Sequence, residues 1–104
     1  MGKRHEQEQF ILGWLKANEP FGINVLNGEF HDAFHAEFGG AFLPYPWGCR
    51  PVLKAMRLLE TMCKQGVLVR WIQTKKDMRL EPDFPNWWYV YQLPTTKFGN
   101  KSNG

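Results

Sequence analysis

The chain has 104 residues, 43% of them apolar and 15% aromatic, with a net charge of +3. That is one domain of ordinary size, too apolar to be intrinsically disordered and without a run long enough to cross a bilayer. Two cysteines, Cys49 and Cys63, cannot build a disulfide framework, and the Met-Gly-Lys-Arg-His-Glu start has no signal-peptide stretch, so a cytoplasmic protein with reduced thiols and no membrane partner is expected.

In chain order, the first expected element is a helix over residues 3–17. Phe10, Ile11, Trp14 and Leu15 form its apolar stripe, and Pro20 stops it. Residues 21–27 are extended and suit a brief edge strand. Asn27 is placed to N-cap a second helix over 28–38, with Phe30, Ala33, Phe34 and Phe38 on its apolar side. Gly39-Gly40 ends it. Residues 41–49 carry two prolines and form an aromatic connector. Arg50-Pro51 opens a third helix, with the proline in its first turn, and Gly66 ends it after Gln65. Residues 67–72 and 87–92 read as two strands of a hairpin around a long polar loop. The stretch from Thr95 to Gly104 reads as a disordered tail.

Charge is unevenly distributed along the chain. Residues 1–49 hold three basic and six acidic side chains, whereas residues 50–104 hold ten basic and four acidic. A one-sided charge of this kind suits a polyanion partner, although a solvated basic helix would also produce it.

At 100° per residue, Val52, Ala55, Met56, Leu59, Met62 and Cys63 fall on one side of the third helix. Arg50, Lys54, Arg57, Thr61 and Lys64 fall on the other, with Leu53, Leu58 and Glu60 at the borders. One face packs and the opposite face is cationic. Such a stripe can neutralise phosphates, and an arginine can pair with guanine in a major groove. Arg57, at mid-stripe, is the base-reading candidate. Arg50, Lys54 and Lys64 suit phosphates, and Thr61 suits either.

The element order and the stretch Leu-Leu-Glu-Thr-Met-Cys-Lys-Gln-Gly-Val-Leu-Val-Arg-Trp, residues 58–71, resemble the winged helix-turn-helix family over residues 8–93. The resemblance implies an α+β fold over 1–93: three helices and a C-terminal two-stranded wing, with or without a short strand after the first helix, then the tail over 94–104. It implies double-stranded DNA as partner, helix three in the major groove and the wing on the flanking backbone or minor groove. The turn between helices two and three is usually short in the family, and here it spans residues 39–49. Small stand-alone proteins of this kind are common in bacteria and phages as transcription regulators or accessory factors of replication and recombination. That is a fold-level analogy.

In the wing, Lys75 and Lys76 could reach phosphates, with Arg79 near them among Asp77, Glu81 and Asp83. Arg70 is expected to point outward and extend the basic surface. Trp87, Trp88, Tyr89 and Tyr91 should alternate between core and surface. Those left outside could stack on unpaired bases, or simply reflect the favour aromatics find in strands. Phe42, Tyr45 and Trp47 either fold back over the core or form a partner-binding patch. The second option supports a different reading, a winged-helix protein-interaction module that uses this connector and the wing.

His31 and His35 have the spacing of two metal ligands, but no third ligand is evident, and a solvent-facing pair is expected. Cys49, near a helix N-terminus, could in principle pair with either histidine as a nucleophile. No phosphate-binding glycine loop, Gly-x-Ser-x-Gly or His-Glu-x-x-His occurs, so neither enzyme activity nor a cofactor is expected.

Overall fold

A computed structural model describes residues 2–44, 50–74 and 86–94. Tyr45, Trp47, Cys49, Lys75, Lys76, Arg79 and the tail from Thr95 lie outside the described residues, as does most of the expected wing loop. The fold is α+β, with helices α1 (Gly2–Ala17), α2 (Gly28–Phe38) and α3 (Leu53–Lys64) followed by strands β1 (Val69–Thr74) and β2 (Trp87–Gln92). The strands form an antiparallel hairpin, with Val69 opposite Gln92 and Thr74 opposite Trp87. This arrangement is compatible with a winged-helix-like layout. No helix among the described residues is long and apolar enough to cross a membrane.

The α1 stripe packs as its spacing predicts. Ile11 and Leu15 are buried, and Phe10 and Trp14 are half-buried against the same core. Phe10 sits 5.8 Å from Phe34 and 5.6 Å from Phe38 between ring centroids, and Trp14 sits 5.6 Å from Phe30. Edge-to-face pairs like these add about 0.5–1.5 kcal/mol each beyond their buried area. The Asn18 backbone N–H and its side-chain amide both donate to the Trp14 carbonyl, which ends the helix before Pro20.

The expected edge strand is a single residue long. Ile23 exchanges two 2.9 Å backbone hydrogen bonds with Tyr91 along the free edge of β2. Gly22 makes this approach possible, since a Cβ there would lie 2.5 Å from the Tyr91 carbonyl oxygen. Asn27 does occupy the N-cap position of α2, but its side chain does not cap. Its Oδ1 accepts from the Asn24 N–H instead, while Asn24 Oδ1 accepts from the Leu26 N–H, so the two asparagines build the turn before the helix.

The start of α3 differs from expectation. Pro51 is not in its first turn, because residues 51 and 52 are held against the connector. The Leu43 N–H donates to the Pro51 carbonyl at 2.7 Å, the Leu53 N–H donates to the Ala41 carbonyl at 2.9 Å, and Phe42 pairs with Val52. The helix therefore begins at Leu53, and Arg50 lies outside it. Leu58, expected at a border, is buried along with Ala55, Leu59 and Met62.

The far end of α3 is closed by Gly66 at φ +81°. Its N–H bonds the Cys63 carbonyl, and the Val67 N–H bonds the Met62 carbonyl. The Leu68 N–H also goes to Met62, so neither residue is free to pair, and the first strand starts at Val69 rather than Val67.

The hairpin's two faces follow from its register. One carries Arg70, Ile72, Thr74, Trp87, Tyr89 and Tyr91, and the other carries Val69, Trp71, Gln73, Trp88, Val90 and Gln92. Burial does not follow strict alternation, because Trp88 and Tyr91 are both buried although they lie on opposite faces. On the second face the indoles are held by glutamines: Trp71 Nε1 donates to Gln92 Oε1 at 3.0 Å and Trp88 Nε1 to Gln73 Oε1 at 3.3 Å. The Gln92 amide then donates to the Pro20 carbonyl at 2.8 Å, which ties the hairpin to the end of the α1 turn.

Candidate nucleic-acid interface

The face of α3 opposite its buried residues carries Lys54, Arg57 and Lys64, all exposed. Arg57 stands at its centre and has no ion-pair partner among the described residues. Lys64 is 3.9 Å from Glu60 one turn earlier, a surface pair that contributes little and is easily broken. The Lys54 stem passes over Gly40, and its ammonium donates to the Phe38 carbonyl at 3.3 Å, near the negative end of the α2 dipole. Thr61 is half-buried, and its hydroxyl donates to the Arg57 carbonyl at 3.0 Å. With that proton engaged, Thr61 can accept from a ligand but not donate to a phosphate.

Arg50 is the one stripe residue that the helical-wheel placement puts in the wrong setting. It precedes α3, and its guanidinium lies 4.2 Å over the Phe42 ring. Phe42 itself folds back, half-buried against the core, with the His35 ring 4.3 Å away on centroids.

One contributor was not expected from sequence. Arg4 and Gln7, from the N-terminal turns of α1, line a solvent-open groove of about 210 Å³ with Lys54, Arg57, Leu58 and Thr61 of α3. Arg4 also pairs with Glu8 at 3.1 Å, within its own helix. The signal for Arg4 was present in α1. At 100° per residue it shares the side of Ile11 and Leu15, and it continues the core-facing side past the edge of the bundle.

Arg70 is exposed but does not project freely. Its guanidinium lies 4.0 Å over the Tyr89 ring, with the Tyr91 hydroxyl close enough to raise its pKa. Arg70, Lys64, Glu60 and Cys63 share a second shallow groove of about 390 Å³ between α3 and β1, a patch of mixed sign. Burial pushes the Cys63 thiol up, away from the thiolate that nucleophilic chemistry needs.

The two histidines are not a solvent-facing pair. His31 is 1% exposed. Its Nδ1 accepts the Val52 N–H at 3.1 Å, and its Nε2 lies 3.0 Å from the Asn24 carbonyl. Periodicity places His31 beside Phe30 and Phe34 but cannot show that a backbone donor from residue 52 will meet it. Among the described residues, no three of His, Cys, Asp and Glu are grouped to hold a metal ion.

Compared with known proteins, the chain matches no family model, no curated sequence and no solved structure.

Proposed function

We propose that this is a small winged-helix protein that binds double-stranded DNA, with α3 presented to the major groove. One observation carries the reading: Arg4 from α1 and Lys54 and Arg57 from α3 converge on one open groove. Cations from two elements, fixed by a packed core, match the spaced charges of a phosphate backbone better than a single solvated helix does. The roles follow from position. Arg57, central and without an ion partner among the described residues, is the base reader. Arg4, Lys54 and Lys64 contact phosphates, and Arg50 stands at the flank. In this reading the hairpin contributes Lys75 and Lys76, outside the described residues, as contacts to the flanking backbone. With this architecture the protein would serve as a transcription regulator or as an accessory factor of replication or recombination.

Affinity for a generic duplex measured at several salt concentrations tests this. The three phosphate contacts on α1 and α3 alone give a slope of log affinity against log salt of about −2.7. No duplex binding at low salt, or binding that ignores salt, would overturn it.

A further inference from the structure

The hairpin carries a second surface of different chemistry. On the face that holds Tyr91, the aromatic side chains form a series that emerges from the core. Tyr91 is buried, Tyr89 is half-buried and Trp87 is 49% exposed. Ile72, opposite Tyr89, is 52% exposed. The Trp87 and Tyr89 rings meet edge to face at 5.1 Å and 79°, and so form a corner with one flat wall and one edge. Both rings line a groove of about 410 Å³ together with Val25, Met56, Asn86, Trp88 and Tyr91. That volume is in the range that takes a small planar group.

Charge narrows the choice of occupant. Among the described strand residues of the hairpin, Arg70 is the one charged side chain, and it sits on the Tyr89 ring. An exposed corner of rings with a guanidinium on one of them fits a ligand that alternates flat apolar groups with negative charge. A single-stranded nucleic acid is such a ligand. The groove meets α3 at Met56, so the two surfaces share that helix.

The geometry points to the Trp87–Tyr89 corner as a stacking platform for unpaired nucleobases, with Arg70 taking the adjacent phosphate. The inference rests on the proposed DNA reading and deepens it: the preferred ligand is a duplex that continues into a single strand. Duplex is held on α3, and the first unpaired bases lie on the hairpin.

The test uses the full chain and three labelled probes: a blunt duplex, the same duplex with an oligothymidylate tail, and the oligothymidylate alone. Each stacked base is worth about 1–3 kcal/mol, so the tail should tighten binding by at least fivefold. Trp87→Ala, a change at an exposed side chain, should abolish that gain and leave blunt-duplex affinity within twofold. Trp87→Phe should keep most of the gain. Arg57→Ala should weaken blunt and tailed duplexes alike and leave their ratio unchanged. If the wild type ignores the blunt duplex but binds oligothymidylate in a Trp87-dependent way, the platform stands and the duplex reading falls. A tail that adds nothing, or a gain that survives Trp87→Ala, overturns the platform and leaves the corner to a partner other than nucleic acid.

Discussion

The Val52 N–H donates to His31 Nδ1. A backbone N–H can only donate, so Nδ1 carries no proton, and the ring proton is on Nε2 facing the Asn24 carbonyl. His31 is therefore held neutral in one tautomer. It joins the first turn of α2 to the turn before it and to Val52, the residue just before α3.

This relationship sets a pH dependence. Burial holds the His31 pKa below its usual 6.5, against smaller upward influences from the Asn24 carbonyl and Asp32. Above pH 6.5 the ring is neutral folded or unfolded and has no effect on the balance. As pH falls through 6.5 the unfolded chain takes up the proton first, so stability declines and levels off below the folded value. Urea unfolding from pH 7.5 to 5 should show a decline of about 1.4 kcal/mol per pKa unit of depression. His31→Gln should flatten that part of the curve, and equal slopes in the two proteins would refute the assignment. At pH 7.5, His31→Ala should cost about 2–4 kcal/mol, since it leaves the buried Val52 N–H unpaired and opens a cavity.

Two glycines should respond in opposite directions. A methyl group at Gly22 meets the Tyr91 carbonyl and the Val90 and Gln92 side chains, all within 2.7 Å, so Gly22→Ala should destabilise by about 1–3 kcal/mol. Gly13 lies exposed in mid-α1 with nothing within 4 Å of an added Cβ. Gly13→Ala should stabilise by about 0.5–1 kcal/mol. Thermal unfolding of the pair checks both directions at once.

Substitutions at Arg57 and Arg4 would separate the proposed base reading from the proposed phosphate contact. Arg57→Ala should cost about 1–3 kcal/mol on a preferred site and relax preference at one position. Arg4→Ala should weaken all duplexes equally and shrink the salt slope by about 0.9. Both side chains are exposed, so stability should stay within about 0.5 kcal/mol. An unchanged slope for Arg4→Ala would remove α1 from the interface.

A metal chelator should leave the unfolding transition where it is. Both ring nitrogens of His31 are engaged with backbone groups, so the i, i+4 histidine spacing offers His35 alone. A fall in the unfolding midpoint on adding chelator, restored by zinc, would contradict this.

The helices were legible wherever local chemistry decides. The stripes of α1 and α2 and the stops at Pro20, Gly39 and Gly66 place their boundaries within a residue or two. The errors come from contacts outside the helix in question, most of them distant in sequence. Proline suits a first helical turn, yet residues 51 and 52 are taken by Ala41–Leu43, and that pairing moves the start of α3 and removes Arg50 from its wheel. Asn27 is a good cap by type, but Asn24 competes for its oxygen. The α3 stripe was visible because helical spacing exposes it. The wheel of α1 puts Arg4 on the side of Ile11 and Leu15, but that it meets the α3 cations depends on how the two helices are placed. The hairpin's aromatic corner needed the register, because Arg70 and Tyr89 come together only when β1 and β2 are paired.

The passage from α3 to β1 uses four residues, 65–68, and the N–H of each is bonded to an α3 carbonyl: Gln65 to Thr61, Gly66 to Cys63, and Val67 and Leu68 to Met62. No slack remains between helix and strand. The cationic face and the aromatic corner therefore behave like the jaws of a caliper locked at one opening. A ligand spanning both must match that gap, and selectivity between ligands becomes a matter of distance, set when the chain folds. Lengthening the join by one residue would leave each jaw intact and change the gap.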